Sequence, residues 1–366
     1  ISTAYQCDLD KSATYRIVRY DPLTLDLDGD GIETIAASNN SGVMFDSNSD
    51  GIKTATGWIS SDDGILVRDI NQNGTIDNGS ELFGDSTKLS SGVNASNGFA
   101  ALVDLDTNQD GKVDKNDAAF TELKVWRDLN QDGISDANEL ISLADLNIES
   151  LNTSQTASST LLTGNNLLTE TGSYTKTDGS TQTMGDVNLV EDKLFTEYKE
   201  KIAVSEEIAE LPNLNSYGRL RSLQEAAMQS SALADVLKQY AAATTKDQQM
   251  DLIDDLVLEW AKTDSQWSSY TTTFYSQAWI EDSNSTNIIR LTPYQSISKA
   301  SILKTEHNTD IHVLDAFFNT VTENITGSVN YSNNIANIRN SIYDSLLTQT
   351  RLKPYIDNIE FVFDDT

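Results

Sequence analysis

The stretch "RYDPLTLDLDGDGIET", residues 19–34, joins an Asp-Pro peptide bond to the start of an acidic run. Asp21-Pro22 is the only Asp-Pro pair in the chain. The segment "LTLDLD" alternates apolar and polar residues with period two, which is typical of a strand with Asp26 and Asp28 on one face. Two glycines then allow a tight turn around Asp30. The stretch therefore predicts a short strand that leads from the Asp-Pro bond into an oxygen-rich loop.

The composition favours bound cations over anionic partners. The 366 residues carry a net charge of −31, and residues 21–149 alone hold 25 acidic and 7 basic side chains. Such a charge repels nucleic acid and anionic membranes, so we expect no nucleic-acid partner. The sequence has no apolar run of 18 residues and hence predicts no transmembrane segment. Its one cysteine excludes an internal disulfide, and no export signal is visible.

Two later stretches fit the twelve-residue loop of EF-hand calcium sites, "DTNQDGKVDKND" at 106–117 and "DLNQDGISDANE" at 128–139. Such a loop places oxygen ligands at positions 1, 3, 5, 7 and 12 and glycine at position 6. The intervening "AAFTELKVWR" predicts a helix that joins the two loops. Ser135 stands at position 8, where an aliphatic residue is usual, and this puts the β-bridge between paired loops in doubt. The predicted ligands are Asp106, Asn108, Asp110, Lys112 (carbonyl) and Asp117, and Asp128, Asn130, Asp132, Ile134 (carbonyl) and Glu139.

Three further loops keep part of this pattern. "DINQNGTIDNGSE" at 69–81 carries its last acid at position 13, and the preceding "GILV" predicts entry from a strand. The opening loop lacks an acid at position 12 and needs ligands from elsewhere, while "DSNSDG" at 46–51 fits a plain turn equally well. Oxygen-only ligands select a hard cation and suit calcium better than magnesium, with about three to five sites. The predicted ligands are Asp26, Asp28 and Asp30, Asp46, Asn48 and Asp50, and Asp69, Asn71, Asn73 and Glu81.

The remainder of the chain changes character twice. Residues 150–187 are rich in Ser, Thr, Asn and Gly, and "GSYTKTDGSTQTMG" predicts a hairpin that turns at Asp178-Gly179. After it, segments such as "EDKLFTEYKEKI" and "QQMDLIDDLVLEWAK" space apolar residues by three and four, which is typical of helices. The predicted fold class is α+β, with an N-terminal flank at 1–21, an EF-hand-like calcium-loop module with short strands and a β-hairpin region at 22–187, and a mostly α-helical C-terminal domain at 188–366.

The Asp21-Pro22 bond has chemistry of its own. The Asp21 carboxylate can reach its own carbonyl carbon and close a five-membered anhydride, with the secondary amine of Pro22 as the leaving group. Most isolated Asp-Pro pairs are plain turns or strand starts. The position of this pair, at the edge of the acidic block, favours an interpretation in which a cation-ordered loop strains the bond or polarises its carbonyl group.

The motifs at 21–34, 62–85, 105–117 and 126–140 together resemble the self-processing module of RTX proteins, found in the Frp-type proteins of Neisseria and a related Apx-type toxin. The resemblance continues into the helical segment that follows, to about residue 265. It implies calcium-triggered cleavage in which Asp21 is the nucleophile and Pro22 the new N-terminus. It also implies possible transfer of the activated Asp21 to a lysine amine of another protein molecule, forming an isopeptide bond. Type I secretion, to the medium or the bacterial cell surface, is implied in the same way.

Two alternatives stay open at this point. The first is a non-catalytic, calcium-stabilised spacer of a secreted toxin or adhesin, in which the Asp-Pro bond is inert. The second is a separate activity in residues 265–366, where His307 and His312 are five residues apart and do not share a helix face. The sequence identifies neither the acid that protonates the Pro22 nitrogen nor the lysine that accepts the activated Asp21.

Overall fold

The structure, a computed structural model, describes residues 19–37, 42–267, 279–280, 289–290, 313–314, 316–317 and 331–358. The chain divides into two compact units with the boundary between Lys199 and Glu200. Most of the predicted flank 1–21 lies outside the described residues, and so do both histidines. Among the helices that the structure describes, none is long and apolar enough to span a membrane.

The first unit is built on a 12-stranded sheet in which the strand pairs are antiparallel. It also contains one short α-helix, α1 (Gly98–Val103), and 3-10 helices at Gly79–Glu81, Phe120–Glu122 and Thr163–Asn165. The strands are β1 (Arg19–Tyr20), β2 (Leu23–Leu25), β3 (Thr34–Ile35), β4 (Val43–Phe45), β5 (Ile52–Thr56), β6 (Trp58–Ile59), β7 (Gly64–Arg68), β8 (Lys112–Asp114), β9 (Leu123–Trp126), β10 (Leu140–Ser142), β11 (Ile148–Asn152), β12 (Thr156–Leu161), β13 (Leu167–Lys176) and β14 (Thr181–Tyr198).

The long strand β14 organises this sheet. The main path runs β10-β9-β7-β2-β14-β13-β11-β8, with β1, β4, β5 and β12 beside it, whereas β3 and β6 form a separate pair. The turn at Asp178-Gly179 connects β13 to β14, and Gly179 adopts a φ of +84° there. The predicted hairpin is therefore confirmed. Because β14 pairs with β1, β2, β5 and β13, it brings distant parts of the sequence together.

Apolar side chains pack against both faces of the sheet. In β7, Leu66 contributes to one apolar cluster, while Ile65 and Val67 contribute to the other. All three are buried, as expected for an interior strand covered on both sides. The strand predicted from "GILV" is confirmed. Burial of this kind is the main stabilising contribution to such a fold, at about 25 cal/mol per Å² of apolar surface.

The second unit contains helices that pack around an apolar core. Leu237, Ile253 and Leu346 are fully buried in that core. A capping box at Thr245 and Gln248 begins one of the long helices by satisfying backbone N–H groups of its first turn. The elements are α2 (Glu206–Ala209), α3 (Leu223–Gln229), α4 (Ser231–Ala242), α5 (Lys246–Ala261), α6 (Tyr331–Leu347) and α7 (Lys353–Ile356), with β15 (Trp279–Ile280) paired to β16 (Ile289–Arg290).

The predicted fold class is wrong. The structure is dominated by an antiparallel sheet, and residues 188–366 are not a mostly α-helical domain, since they begin with the second half of β14 and include the β15–β16 pair. The segment "EDKLFTEYKEKI" pairs with β5 between Glu191 and Tyr198, so strand pairing overrides its helical spacing. The expected connecting helix "AAFTELKVWR" is a 3-10 turn followed by β9. The loops at 106–117 and 128–139 are therefore not joined by an EF-hand helix.

Candidate active site and cation loops

The Asp-Pro bond lies between β1 and β2, and both of these strands pair with β14. Tyr20 is opposite Leu189 on one side of the bond, and Leu23 is opposite Asp186 on the other. Leu23 also donates its backbone N–H to the carbonyl oxygen of Phe83, at 2.8 Å. The single strand β14 thus holds the chain on both sides of the bond. The backbone is fixed at a position where the sequence alone is equally typical of a plain turn.

The groups around the bond are close and polar. Asp21 is only 7% exposed, and its Oδ1 accepts a hydrogen bond from the backbone N–H of Asp85 at 2.7 Å. A Cβ on Gly84 would lie 2.7 Å from the Asp21 carbonyl oxygen, so only glycine lets the backbone pass here. The carbonyl oxygen of Pro22 accepts from the N–H of Val187 at 3.2 Å. The Asp21 carboxyl group and its own carbonyl group are therefore both held in place.

Two buried carboxyl groups in this region have different proton affinities. Burial and, after it, the charge of Asp85 together raise the pKa of Asp21 to about 7. Burial, followed by the charge of Asp21, raises the pKa of Asp186 to about 9. At neutral pH Asp186 thus keeps its proton while Asp21 is partly ionised. Sequence reasoning missed Asp186, although a lone acid in the apolar stretch "TMGDVNLV" is a signal that could have marked it.

Four of the predicted loops share one backbone template. Position 4 and the glycine at position 6 have positive φ in each loop. The first Asp accepts hydrogen bonds from the N–H groups of positions 5 and 6; in Asp128, for example, Oδ1 accepts from Asp132 at 3.3 Å and Oδ2 from Gly133 at 2.9 Å. The loop at 46–51, whose sequence fits a plain turn equally well, shares this template. The four loops are 46–51, 69–74, 106–111 and 128–133.

Three of these loops are closed by a buried carboxyl group. Glu81, Asp117 and Glu139 each accept hydrogen bonds from the backbone N–H groups of loop positions 2 and 9. In the last loop, Glu139 accepts from Leu129 at 2.9 Å and from Asp136 at 3.1 Å. Glu81 makes the same contacts although it stands at position 13. The inserted residue therefore leaves the closing interaction intact.

The opening loop has a different arrangement. Asp26, Asp28 and Asp63 bring carboxyl oxygens within 4.8 Å of one another, the one such group of three among the residues described. Asp63 is buried and accepts a hydrogen bond from the N–H of Leu27 at 3.2 Å. Asp30 is not part of the group; its N–H donates to Asp28 at 3.4 Å. Asp63 is therefore the candidate for the ligand expected from elsewhere, and its sequence signal is the Asp-Gly pair at the start of β7.

Two of the loops are joined by a hydrogen bond between their eighth positions. The N–H of Ile76, at position 8 of the loop at 69–81, donates to the hydroxyl group of Ser135 at 2.6 Å. Their preceding strands, β7 and β9, also pair. The loop at 128–139 thus contacts the loop at 69–81 through Ser135, the residue that put its β-bridge to the loop at 106–117 in doubt. Ser135 replaces the usual β-bridge with a side-chain acceptor, and this explains the unusual residue.

The donor set fits a hard divalent cation. Asp, Asn and Glu oxygens occupy the side-chain ligand positions, and loops rich in carboxylates with a glycine turn suit calcium. Lys112, expected to act through its carbonyl group, pairs its ammonium group with Asp114 at 2.9 Å, so its charge is offset. The other residue expected to act through its carbonyl group, Ile134, has an exposed side chain that does not obstruct the loop.

Comparison with known proteins shows a similarity to a domain family and to a bacterial protein. Residues 23–190 match the family model of the SPM domain, a range that begins one residue after Pro22 and ends within β14. Nearly the whole chain, 97%, aligns with the iron-regulated protein FrpA of Neisseria meningitidis serogroup C at 45% identity over 378 residues. The chain spans 33% of the length of that relative. The chain is therefore similar to an Frp-type protein over nearly its whole length, and its first unit contains the match to the SPM domain.

Proposed function

We propose that the first unit is a calcium-triggered, single-turnover module that breaks its own Asp21-Pro22 peptide bond. The observation that carries this proposal is the buried Asp21 carboxyl group, held by the Asp85 N–H beside its own carbonyl group between two strands that share one partner. A carboxylate placed next to the carbonyl that it attacks gains from proximity, because no second molecule has to be ordered. The attack that forms the anhydride uses a carboxyl group and a carbonyl group of the same residue.

The reaction would proceed in two steps. A carboxylate oxygen of Asp21 attacks its own carbonyl carbon, and the bond from that carbon to the Pro22 nitrogen breaks as the nitrogen takes up a proton. The product is a five-membered anhydride at Asp21 and a free secondary amine at Pro22. Water then opens the anhydride to two carboxyl groups, or a lysine amine of another protein opens it to an amide and one carboxyl group. The second outcome is the isopeptide cross-link.

Calcium would act through the loops. Each bound ion supplies positive charge that offsets the repulsion among carboxylates such as Asp26, Asp28 and Asp63. The opening loop directly follows β2, which follows Pro22. Ordering this loop therefore fixes the strand on one side of the Asp-Pro bond. The sites of the other loops stabilise the sheet that holds β14 in register.

The likeness to the Frp-type family extends the proposal to the setting of the protein. Secretion to the bacterial surface or medium would expose the loops to calcium at high concentration. Extracellular calcium modules bind with dissociation constants of about 10⁻⁴ to 10⁻³ M, so such sites would fill after export. Cleavage would then take place after the protein has left the cell.

A calcium-stabilised spacer is the competing function. It is favoured by the loops themselves, since their closing carboxyl groups are satisfied by backbone N–H groups without any chemical step. In that case the ions would stabilise the sheet and the Asp-Pro bond would stay intact. The two functions make opposite predictions for the integrity of the chain in calcium.

The test is incubation of the purified chain with calcium or with a chelator, followed by denaturing electrophoresis and N-terminal sequencing. We expect a calcium-dependent fragment that starts at Pro22. Asp21→Asn should abolish it because the amide is a far weaker nucleophile, while calcium binding is retained. Asp145→Asn, a matched change in an exposed turn, should leave the rate unchanged. A chain that binds calcium and stays intact contradicts the proposal and supports the spacer.

A further inference from the structure

The carboxyl group of Asp186 is buried beside the Asp-Pro bond. Its side chain is fully buried in β14. Opposite residues of an antiparallel ladder place their side chains on the same face, as do residues two apart along a strand. Asp186 is opposite Leu23, and Leu23 is two residues after Asp21. The Asp21 and Asp186 carboxyl groups therefore lie on the same face of the sheet. Along the strand direction, Asp21 precedes the Pro22 nitrogen, and Asp186 is level with Leu23, which follows it.

One oxygen of this carboxyl group is anchored and the other is not. Oδ2 accepts a hydrogen bond from the N–H of Gly98 at 2.7 Å, whereas Oδ1 has no hydrogen-bond partner among the described residues. A Cβ on Gly98 would lie 3.2 Å from the backbone nitrogen of Leu23. The anchored oxygen thus lies against the backbone of β2. A buried polar atom without a partner is costly and uncommon, and it is the atom expected to hold a transferable proton.

The electrostatic surroundings keep this group protonated. The charged groups that act on Asp186 are Asp21, Glu170 and Asp85, and all three are acidic. Burial and these charges both disfavour its carboxylate form. Asp85 also contacts Asp21, but its side chain is exposed to solvent and is not enclosed beside the bond. Asp186 is the better placed donor.

We propose that Asp186 is the acid that protonates the Pro22 nitrogen as the Asp21-Pro22 bond breaks, an inference that rests on the proposed function above. The Asp21 oxygen forms its bond to the carbonyl carbon, and the electron pair of the broken C–N bond stays on the nitrogen. That nitrogen takes the proton from Asp186, which becomes a carboxylate and is later reprotonated by water. The separation of one carboxyl group as nucleophile and another as acid follows from their different surroundings.

The first test compares Asp186→Asn with Asp192→Asn. Both substitutions replace an acid on β14, and Asp192 is opposite Ala55, away from the bond. Asparagine keeps the acceptor for the Gly98 N–H but has no proton of comparable acidity to give. We expect calcium-dependent cleavage to fall by about 10²- to 10⁴-fold in Asp186→Asn, the usual contribution of a general acid, and to stay unchanged in Asp192→Asn. Equal rates for Asp186→Asn and the wild type overturn the assignment.

The second test leaves Asp186 unchanged. In saturating calcium, the cleavage rate of the wild type should rise as Asp21 ionises and fall as Asp186 loses its proton, giving a bell-shaped pH profile. A carbon-13 NMR titration of the Asp186 carboxyl group in the Asp21→Asn chain should show the protonated form at pH 7. A rate that stays level above about pH 10, or an ionised Asp186 at pH 7, overturns the assignment. A wild type that never cleaves overturns the proposed function, and the assignment falls with it.

Discussion

At the scale of single residues, Gly84 and Asp85 decide how the Asp-Pro bond is held. The Asp85 N–H fixes one oxygen of Asp21, and Gly84 passes so close that an added Cβ would meet the Asp21 carbonyl oxygen at 2.7 Å and its carbon at 3.2 Å. The sequence shows only "LFGD" at this point. A contact across more than sixty residues has no local pattern, so this part of the site could not be predicted.

Gly84→Ala should therefore impair cleavage while leaving the cation loops in place. The methyl group must displace the reacting carbonyl group, and a displacement of about 1 Å can slow a reaction by about 10²-fold. The added atoms should also destabilise the fold by about 1–3 kcal/mol. The measurement is the cleavage rate in saturating calcium together with calcium binding by calorimetry.

Gly92→Ala is the control for this experiment. A Cβ on Gly92 would meet nothing within 4 Å, although its φ of +84° adds backbone strain. It should lose some stability and keep the wild-type cleavage rate. If Gly84→Ala cleaves as fast as Gly92→Ala, the close packing on the Asp21 carbonyl group has no role in the reaction.

At the scale of elements, the loops were predictable and their flanking structures were not. The Asp-x-Asn-x-Asp/Asn-Gly pattern encodes local hydrogen bonds within six residues, so it fixes the turn without help from the rest of the fold. Asp63 and Asp186 reach their sites by strand pairing over long separations, which a single sequence does not display. The segment Glu191–Tyr198 has helical spacing but pairs with β5, and this distant partner is likewise not visible in a single sequence.

Glu139→Gln tests the closing interaction of a loop. Glutamine keeps one acceptor but loses the charge that strengthens the bonds from Leu129 and Asp136, so the calcium-free unit should lose about 1–2 kcal/mol of stability. Calcium affinity should also fall, because a charged closing ligand is lost. The measurements are urea unfolding in chelator and calorimetric titration.

Glu149→Gln is the matched control for Glu139→Gln, since it makes the same change at an exposed position on β11. Its stability and calcium affinity should match the wild type. If both variants lose calcium affinity equally, the effect belongs to overall charge, and Glu139 has no special part in closing the loop.

At the scale of the whole molecule, buried acids link folding to pH. Asp21 and Asp186 have pKa values of about 7 and about 9 in the folded state, above the value of about 4 for an unfolded Asp. The folded state thus binds more protons than the unfolded state between about pH 4 and these values. These two groups therefore lower the free energy of unfolding as the pH rises through this window.

In chelator, which prevents calcium-triggered cleavage, the urea midpoint of the wild type should be lower at about pH 8.5 than at about pH 5.5. Asp186→Asn removes one of the titrating groups and should flatten this dependence, whereas Asp145→Asn, at an exposed position, should reproduce the wild-type slope. A midpoint that rises with pH contradicts the predicted linkage of the buried acids.

The position of β1, directly before the Asp-Pro bond, has a consequence for the end of the reaction. Within the part of the chain that the structure describes, this strand consists of Arg19 and Tyr20, which are in register with Val190 and Leu189 of β14. While the backbone is continuous, the covalent tether keeps β1 at a high effective concentration. Scission removes the tether, so the upstream piece would dissociate and carry the activated Asp21 away from the Pro22 amine. Rejoining would then require a second-order encounter, and product escape would make the break irreversible.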